Sequence, residues 1–166
     1  MSRLKTAAYI TITSIILTSC STGCGPIEGM EETITQDEAA EKVQEHIGRA
    51  MTDFPASAEL EKRGGSYIAS CDDPTDGGPK DRVTVSVSYW IRGLETEEND
   101  INVNLLHEYW TKNGYHVITD SRPDDAFISV RHEQDSFTMS VQESIQGSLS
   151  ISASSPCVWP EGTPNP

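Results

Sequence analysis

The segment from Val83 to Ile91 alternates apolar and polar residues, and this pattern constrains the fold more than any other feature of the sequence. The apolar positions are Val83, Val85, Val87, Tyr89 and Ile91. A two-residue period is typical of a β-strand with one buried face. The segment therefore predicts a half-buried sheet as the centre of the domain.

Two helices are predicted by start signals and by apolar spacing. Thr35 to Glu38 fits a capping box, and apolar residues then recur at steps of three and four, which predicts a helix over 36–53 that stops before Pro55. A second apolar face between Asn99 and Asn113 includes Trp110 and ends at Gly114, so a second helix is expected there.

Further strands are predicted before and after the second helix. They are 66–71, 115–119, 126–132, 137–142 and 148–153, and the last four are separated by short, turn-rich pieces. Short connectors favour antiparallel neighbours. The expected fold is α+β, with two helices packed on one face of an antiparallel sheet of about five to six strands.

The two faces of this sheet differ in composition. One face carries Ile128, Val130, Met139, Val141, Leu149 and Ile151, and the other carries Ser129, Thr138, Ser140, Ser148, Ser150 and Ser152. The hydroxyl-rich face is therefore expected to be open, either to solvent as an ordinary wet sheet face or to a partner.

The N-terminus has the three parts of an export signal. Arg3 and Lys5 precede an uncharged stretch over 7–17 that is too short to span a bilayer, and small residues follow. Leu17-Thr18-Ser19-Cys20 resembles the bacterial lipobox, which implies cleavage before Cys20 and attachment of diacylglycerol to its thiol. Cys24 is a competing candidate, although Ser21 stands where an aliphatic residue is expected, and cleavage without lipidation is the other alternative.

The expected organisation is a signal peptide over 1–19, a lipidated flexible tether over 20–33, an α+β domain over 34–158 and a disordered tail over 159–166. The expected location is the extracytoplasmic face of the cell membrane. Because the formal net charge is −14, the chain should repel nucleic acid, and no nucleic-acid partner is expected.

Export places the cysteines in an oxidising compartment, where disulfides form. Cys71 lies at the end of a predicted strand and Cys157 at the end of the last one, so a structural bridge between them is predicted. Neither cysteine has the Cys-x-x-Cys neighbour of a redox motif.

No catalytic motif, cofactor loop or metal-binding spacing is found. His46, His107, His116 and His132 show no zinc spacing, and Asp72 to Gly77 resembles a calcium loop only in its opening. A hydrolase with dispersed residues such as His116, His132 and Asp120 is the alternative hypothesis.

The lipobox, Cys71, Trp110-x-x-x-Gly114-Tyr115 and Ser155-Pro156-Cys157 together resemble the small uncharacterised lipoproteins of actinobacteria. The resemblance implies an envelope location and no particular activity. The first hypothesis is a membrane-tethered, non-enzymatic domain without a cofactor. It would bind an unknown envelope protein or small ligand through the hydroxyl-rich face or through a groove beside the helices.

Overall fold

The computed structural model describes residues 31–72, 75 and 79–164. Within these residues the chain forms two α-helices and one seven-stranded antiparallel sheet, which confirms the α+β class. The signal peptide, Cys20, Cys24 and the tether up to residue 30 lie outside the described residues. Neither helix of the described part is long and apolar enough to cross a membrane.

Helix α1 (Gln36–Ala50) begins at the predicted capping box. Glu38 donates its backbone N–H to Thr35 Oγ1 at 3.2 Å, and Thr35 donates its own N–H to Glu38 Oε2 at 2.8 Å. The helix ends three residues earlier than predicted, because the chain turns after Met51 and before Pro55.

Helix α2 (Asn99–Lys112) lies where the sequence predicts it, after a short 3₁₀ turn at Thr96–Glu98. Gly114 has a φ of +78°, the left-handed conformation that ends many helices and that glycine adopts without strain. Trp110 is fully buried, as its spacing predicts.

The sheet contains β1 (Glu59–Lys62), β2 (Tyr67–Ser70), β3 (Val83–Arg92), β4 (Tyr115–Asp120), β5 (Phe127–His132), β6 (Thr138–Glu143) and β7 (Leu149–Ser154). The strand order is β1-β3-β7-β6-β5-β4, and β2 pairs with the other half of β3 on the edge that β1 also uses. The sheet is thus slightly larger than expected. The extra strand, β1, is exposed and contains one apolar residue, Leu60, so it carries no apolar alternation that could have predicted it.

The helices cover the apolar face of the sheet. The buried residues of α1 share one core with the inward-facing residues of β3 and of β5 to β7, and every inward residue predicted on those last three strands is buried. The opposite face carries the hydroxyl side chains and has no helix on it within the described residues. This asymmetry leaves one broad polar surface available to a ligand.

Two contacts hold the ends of β2, β3 and β7 together. A disulfide joins Cys71 to Cys157 with a Cα–Cα distance of 6.0 Å, as predicted from the strand ends. Beside it, Arg82 donates from Nε to Asp72 Oδ1 at 2.8 Å and from its backbone N–H to Asp72 Oδ2 at 2.9 Å. Asp72 opens the segment that resembles a calcium loop in the sequence, and in the structure its side chain pairs with Arg82 at the start of β3.

Where the sequence predicts a disordered tail over 159–166, the described residues 159–162 contact the first described residues of the domain. Trp159 is 3% exposed and donates its Nε1–H to the carbonyl of Glu31 at 3.1 Å, while Thr33 donates its N–H to Gly162 O at 2.8 Å. We call residues 31–36 together with 159–162 the terminal clasp. The three prolines of the tail exclude a regular β-ladder there. They do not prevent a buried indole from fixing the position of the tail.

Candidate functional site

The open face of the sheet presents hydroxyl groups in rows. The strand register aligns Ser88, Ser152, Ser140 and Ser129 across β3, β7, β6 and β5. Ser88 and Ser152 hydrogen-bond to each other through their hydroxyl groups. A hydroxyl both donates and accepts, so such a row can match the hydroxyl groups of a ligand without imposing a charge.

An aromatic and cationic cluster lies at one end of this face, near the end of β3. The guanidinium carbon of Arg63 lies 4.4 Å from the Trp90 ring centroid, and that of Arg92 lies 5.2 Å from it. Arg92 is paired with Glu61 at 2.8 Å. Arg63 makes no ion pair with any acidic residue among those described, and its Nη1 lies 3.5 Å from Ser150 Oγ.

A groove of about 430 Å³ adjoins this cluster, and we call it the Trp90 groove. Its remaining walls come from the β6–β7 hairpin. The lining residues are Arg63, Trp90, Gln142, Glu143, Ser144, Ile145, Gln146 and Ser150. Glu143 is the acidic member and accepts a hydrogen bond from Asn99 Nδ2 at 2.9 Å, and Arg63 is the cationic member of the lining.

A second polar cluster lies on the other side of the sheet, where His46 of α1 reaches Tyr115 at the start of β4 and His132 at the end of β5. His46 Nδ1 lies 2.5 Å from the Tyr115 hydroxyl, and His46 Nε2 lies 3.3 Å from Asp135 Oδ2. The other carboxylate oxygen of Asp135 lies 2.7 Å from His132 Nδ1. Asp135 therefore bridges two imidazoles that come from α1 and from the end of β5.

Burial dominates the electrostatics of this histidine cluster. Burial lowers the pKa of His46, against the opposing effect of the Asp135 carboxylate, so the imidazole is neutral at neutral pH. Burial alone would raise the pKa of Asp135, but the hydrogen bond with His132 and the nearby His46 outweigh it, and the pKa is lowered. Burial raises the pKa of Tyr115, so its hydroxyl stays protonated.

This arrangement is poorly suited to nucleophilic catalysis. The side chains of His46 and Tyr115 are almost fully enclosed, so their hydrogen-bonded atoms do not face a substrate. Asp135 is the accessible end of the cluster, and it lines a groove of about 620 Å³ between α1 and the terminal clasp. The cluster can hold a cation or a hydrogen-bond network at the base of that groove.

The three residues named for a hydrolase are not brought together. His116 pairs with Arg131 on the open face, whereas His132 pairs with Tyr115 on the helix-covered face. Asp120 lies at the far end of β4, where Arg122 donates to it from Nε at 2.8 Å. Their side chains therefore form no common site.

Sequence reasoning found the hydroxyl face but missed both clusters. Arg63 lies beyond a strand that has no apolar pattern, and its approach to Trp90 depends on the pairing of β1 with β3. His46 and Asp135 are 89 positions apart and meet only through packing of the helix on the sheet. The one local signal was the i, i+3 spacing of His132 and Asp135.

Comparison of the chain with protein-family models, with curated proteins and with solved structures finds no match. The site geometry is therefore the basis for the functional argument.

Proposed function

We propose that the protein is a lipid-anchored lipoprotein of the cell envelope, held by Cys20 on the extracytoplasmic face of the membrane, whose domain binds a glycan without catalysis. The observation that carries the binding proposal is the Trp90 groove, where Arg63, which has no ion pair within the described part of the chain, lies over an aromatic ring beside a hydroxyl-rich sheet face. The resemblance to actinobacterial lipoproteins supports the location only.

The composition of the groove favours a sugar polymer over a protein surface. Serine hydroxyls and the Gln142 amide offer donors and acceptors to sugar hydroxyl groups, and the Trp90 and Ile145 side chains offer apolar contact to the C–H groups of a sugar ring. Pockets for lipids or cofactors have a mostly apolar lining. Among the described residues that line this groove, Ile145 and Trp90 are the apolar members.

The charge pattern narrows the class of glycan. The chain as a whole carries a formal net charge of −14, which disfavours a densely anionic polymer. Arg63 nevertheless places in the groove a guanidinium that has no ion pair among the described residues, and such a group binds a carboxylate through two parallel hydrogen bonds. The ligand we propose is a glycan with isolated carboxylate groups along an otherwise uncharged chain.

Binding is tested with the full-length protein in detergent and with oligosaccharides in which glucuronic acid alternates with neutral sugars. Titration is followed by tryptophan fluorescence, and carboxyl-reduced oligosaccharides serve as the neutral comparison. Arg63→Ala should weaken binding about tenfold or more, because a hydrogen-bonded charge contributes roughly 1.5–3 kcal/mol. Arg49→Ala removes a cation on the exposed side of α1, at the opposite face, and should leave binding unchanged.

The outcomes separate the parts of the proposal. Loss of affinity in both Arg63→Ala and Trp90→Ala, with preference for the carboxylated ligand, supports it. Equal binding of the carboxyl-reduced oligosaccharide would show that Arg63 does not recognise a carboxylate. If neither oligosaccharide binds, the proposed glycan class is rejected.

The anchor is tested by intact-mass analysis of protein from its membrane, with Cys20→Ala beside Cys24→Ala. A diacylglycerol increment that disappears only in Cys20→Ala supports attachment at Cys20. An increment that disappears only in Cys24→Ala would move the anchor to that cysteine, and an unlipidated wild-type product would make the protein a freely secreted domain.

A further inference from the structure

The histidine cluster beneath α1 contains the donor atoms of a metal site. His46, His132 and Asp135 each offer one ligand atom, and these atoms all lie within 4.8 Å of one another. Two imidazole nitrogens and one carboxylate form a ligand set that zinc and related divalent transition metals accept. No cysteine contributes, so the set does not depend on the redox state of the protein.

The geometry requires small adjustments to hold an ion. Tetrahedral zinc with bonds of about 2.0–2.2 Å separates its ligand atoms by about 3.3–3.6 Å. The distance of 3.3 Å between His46 Nε2 and Asp135 Oδ2 already fits, and the 2.7 Å contact of His132 with the carboxylate must lengthen. Side-chain shifts of about 1 Å would close the set around an ion.

The surroundings supply an outer shell for one of these ligands. For His46 Nε2 to bind a metal, the ring proton must lie on Nδ1, and Nδ1 lies 2.5 Å from the Tyr115 hydroxyl oxygen that can accept it. Such a hydrogen bond fixes the tautomer and the ring orientation of metal-ligating histidines. Stacking on Phe137, with ring centroids 4.9 Å apart, further restricts the ring.

Lys42 is the competing cation at this cluster. Its ammonium lies 3.7 Å from Asp135 Oδ2, and its side chain is 39% exposed. Since the lysine stem reaches solvent, the ammonium can move away when an ion replaces it as the counter-charge. A metal ion and Lys42 would therefore compete for the same carboxylate. Substitution of Lys42 is thus a second way to test the site.

We propose that His46, His132 and Asp135 form a binding site for a divalent transition-metal ion of the zinc class. The fourth ligand would be water or a ligand oxygen from the groove beside Asp135, since that carboxylate is the accessible member. The site would connect α1 to the end of β5 and to the turn that follows it. It is independent of the Trp90 groove, which lies on the other face of the sheet.

The test is calorimetric titration of the full-length, metal-free protein with Zn²⁺, together with the visible absorption of Co²⁺ as a report of tetrahedral geometry. One equivalent should bind. His132→Ala should weaken Zn²⁺ binding by more than about 100-fold, since loss of an outer-shell partner alone, as in Tyr115→Phe, costs about 10–100-fold. His116→Ala removes an exposed histidine from the opposite face and is the matched control.

Lys42→Gln distinguishes a metal site from a structural hydrogen-bond network. Removal of the nearby positive charge should tighten Zn²⁺ binding about tenfold, whereas a purely structural cluster would show no binding to tighten. If circular dichroism shows that His132→Ala does not fold, Asp135→Asn replaces it, because it preserves the shape of the side chain. Wild-type protein that binds no Zn²⁺, or binding that persists in the ligand variant, would overturn the proposal.

Discussion

Loss of the bridge between Cys71 and Cys157 should cost the domain a large part of its stability. The two cysteines are 86 positions apart, so the bond closes α2 and five of the seven strands, β3 to β7, into one loop. In the chain-entropy model, a loop of this length stabilises the folded state by about 4.6 kcal/mol at 25 °C, because the unlinked unfolded chain has more conformations.

That magnitude is a large fraction of the roughly 5–15 kcal/mol by which domains of this kind are stable. Native contacts at the bridge should survive reduction, since the two backbone hydrogen bonds of 2.9 Å between Val83 and Val158 do not involve the disulfide. The effect therefore comes mainly from the unfolded state. The urea m-value should rise when the bond is absent, because the unlinked chain exposes more surface on unfolding.

The assay is urea unfolding, followed by tryptophan fluorescence, of oxidised protein, reduced protein and the Cys71→Ala/Cys157→Ala variant, all with Cys24→Ser. At an m-value of about 1.5–2.5 kcal/mol per M, the midpoint should fall by about 2–3 M on reduction. The double variant should match the reduced protein. A loss below about 1.5 kcal/mol, or an unchanged m-value, would refute the entropic reasoning.

The remaining predictions concern the ion pairs and the terminal clasp. Asp72→Asn leaves the guanidinium of Arg82 without its counter-charge and should cost about 2–3 kcal/mol in urea unfolding. The hydrogen bonds from Arg122 lower the pKa of Asp120 to about 2, so this pair stabilises the fold above pH 4 and the effect is lost between about pH 4 and 2. Asp120→Asn should remove that acid dependence. The stability lost should be less than about 1 kcal/mol, because the pair is partly exposed. Trp159→Ala should abolish hydrogen-exchange protection of the clasp amides while the sheet stays protected.

Much of the fold could be predicted because its signals are local. The capping box at Thr35, the alternation from Val83 and the left-handed Gly114 each act through neighbouring residues. Such signals predict the identity of an element well and its ends less well, as the early end of α1 shows. The disulfide could be predicted because each of its two cysteines lies at a predicted strand end.

The missed features depend on tertiary contacts. Strand β1 is exposed and contains one apolar residue, and pairing with β3 alone makes it a strand. Trp159 is followed by prolines and reads as part of a tail, yet its indole is buried against the first described residues. In both cases a long-range contact overrides a local preference.

In the candidate sites, too, local signals could be predicted from the sequence and tertiary contacts could not. The hydroxyl face could be predicted from strand alternation, because the two-residue period assigns each side chain to a face. The position of Arg63 over Trp90 required the strand order, and the meeting of His46 with Asp135 required the packing of α1. Sequence therefore predicts which surface is polar, and the fold determines which polar groups meet there.

If the chain is anchored at Cys20, the terminal clasp determines how far the domain extends from the membrane. Glu31 lies against Trp159, and the neighbouring Val158 pairs with Val83 at the start of β3. Trp90 lies seven residues further along β3, about 23 Å away at 3.3 Å per residue. Glu31 is eleven positions after Cys20, and the full extension of that segment is at most about 40 Å. The clasp would then be the membrane-proximal end, and the Trp90 groove would sample the layer above the head groups. A ligand that projects outward from the membrane would be within reach, and one embedded among the lipids would not.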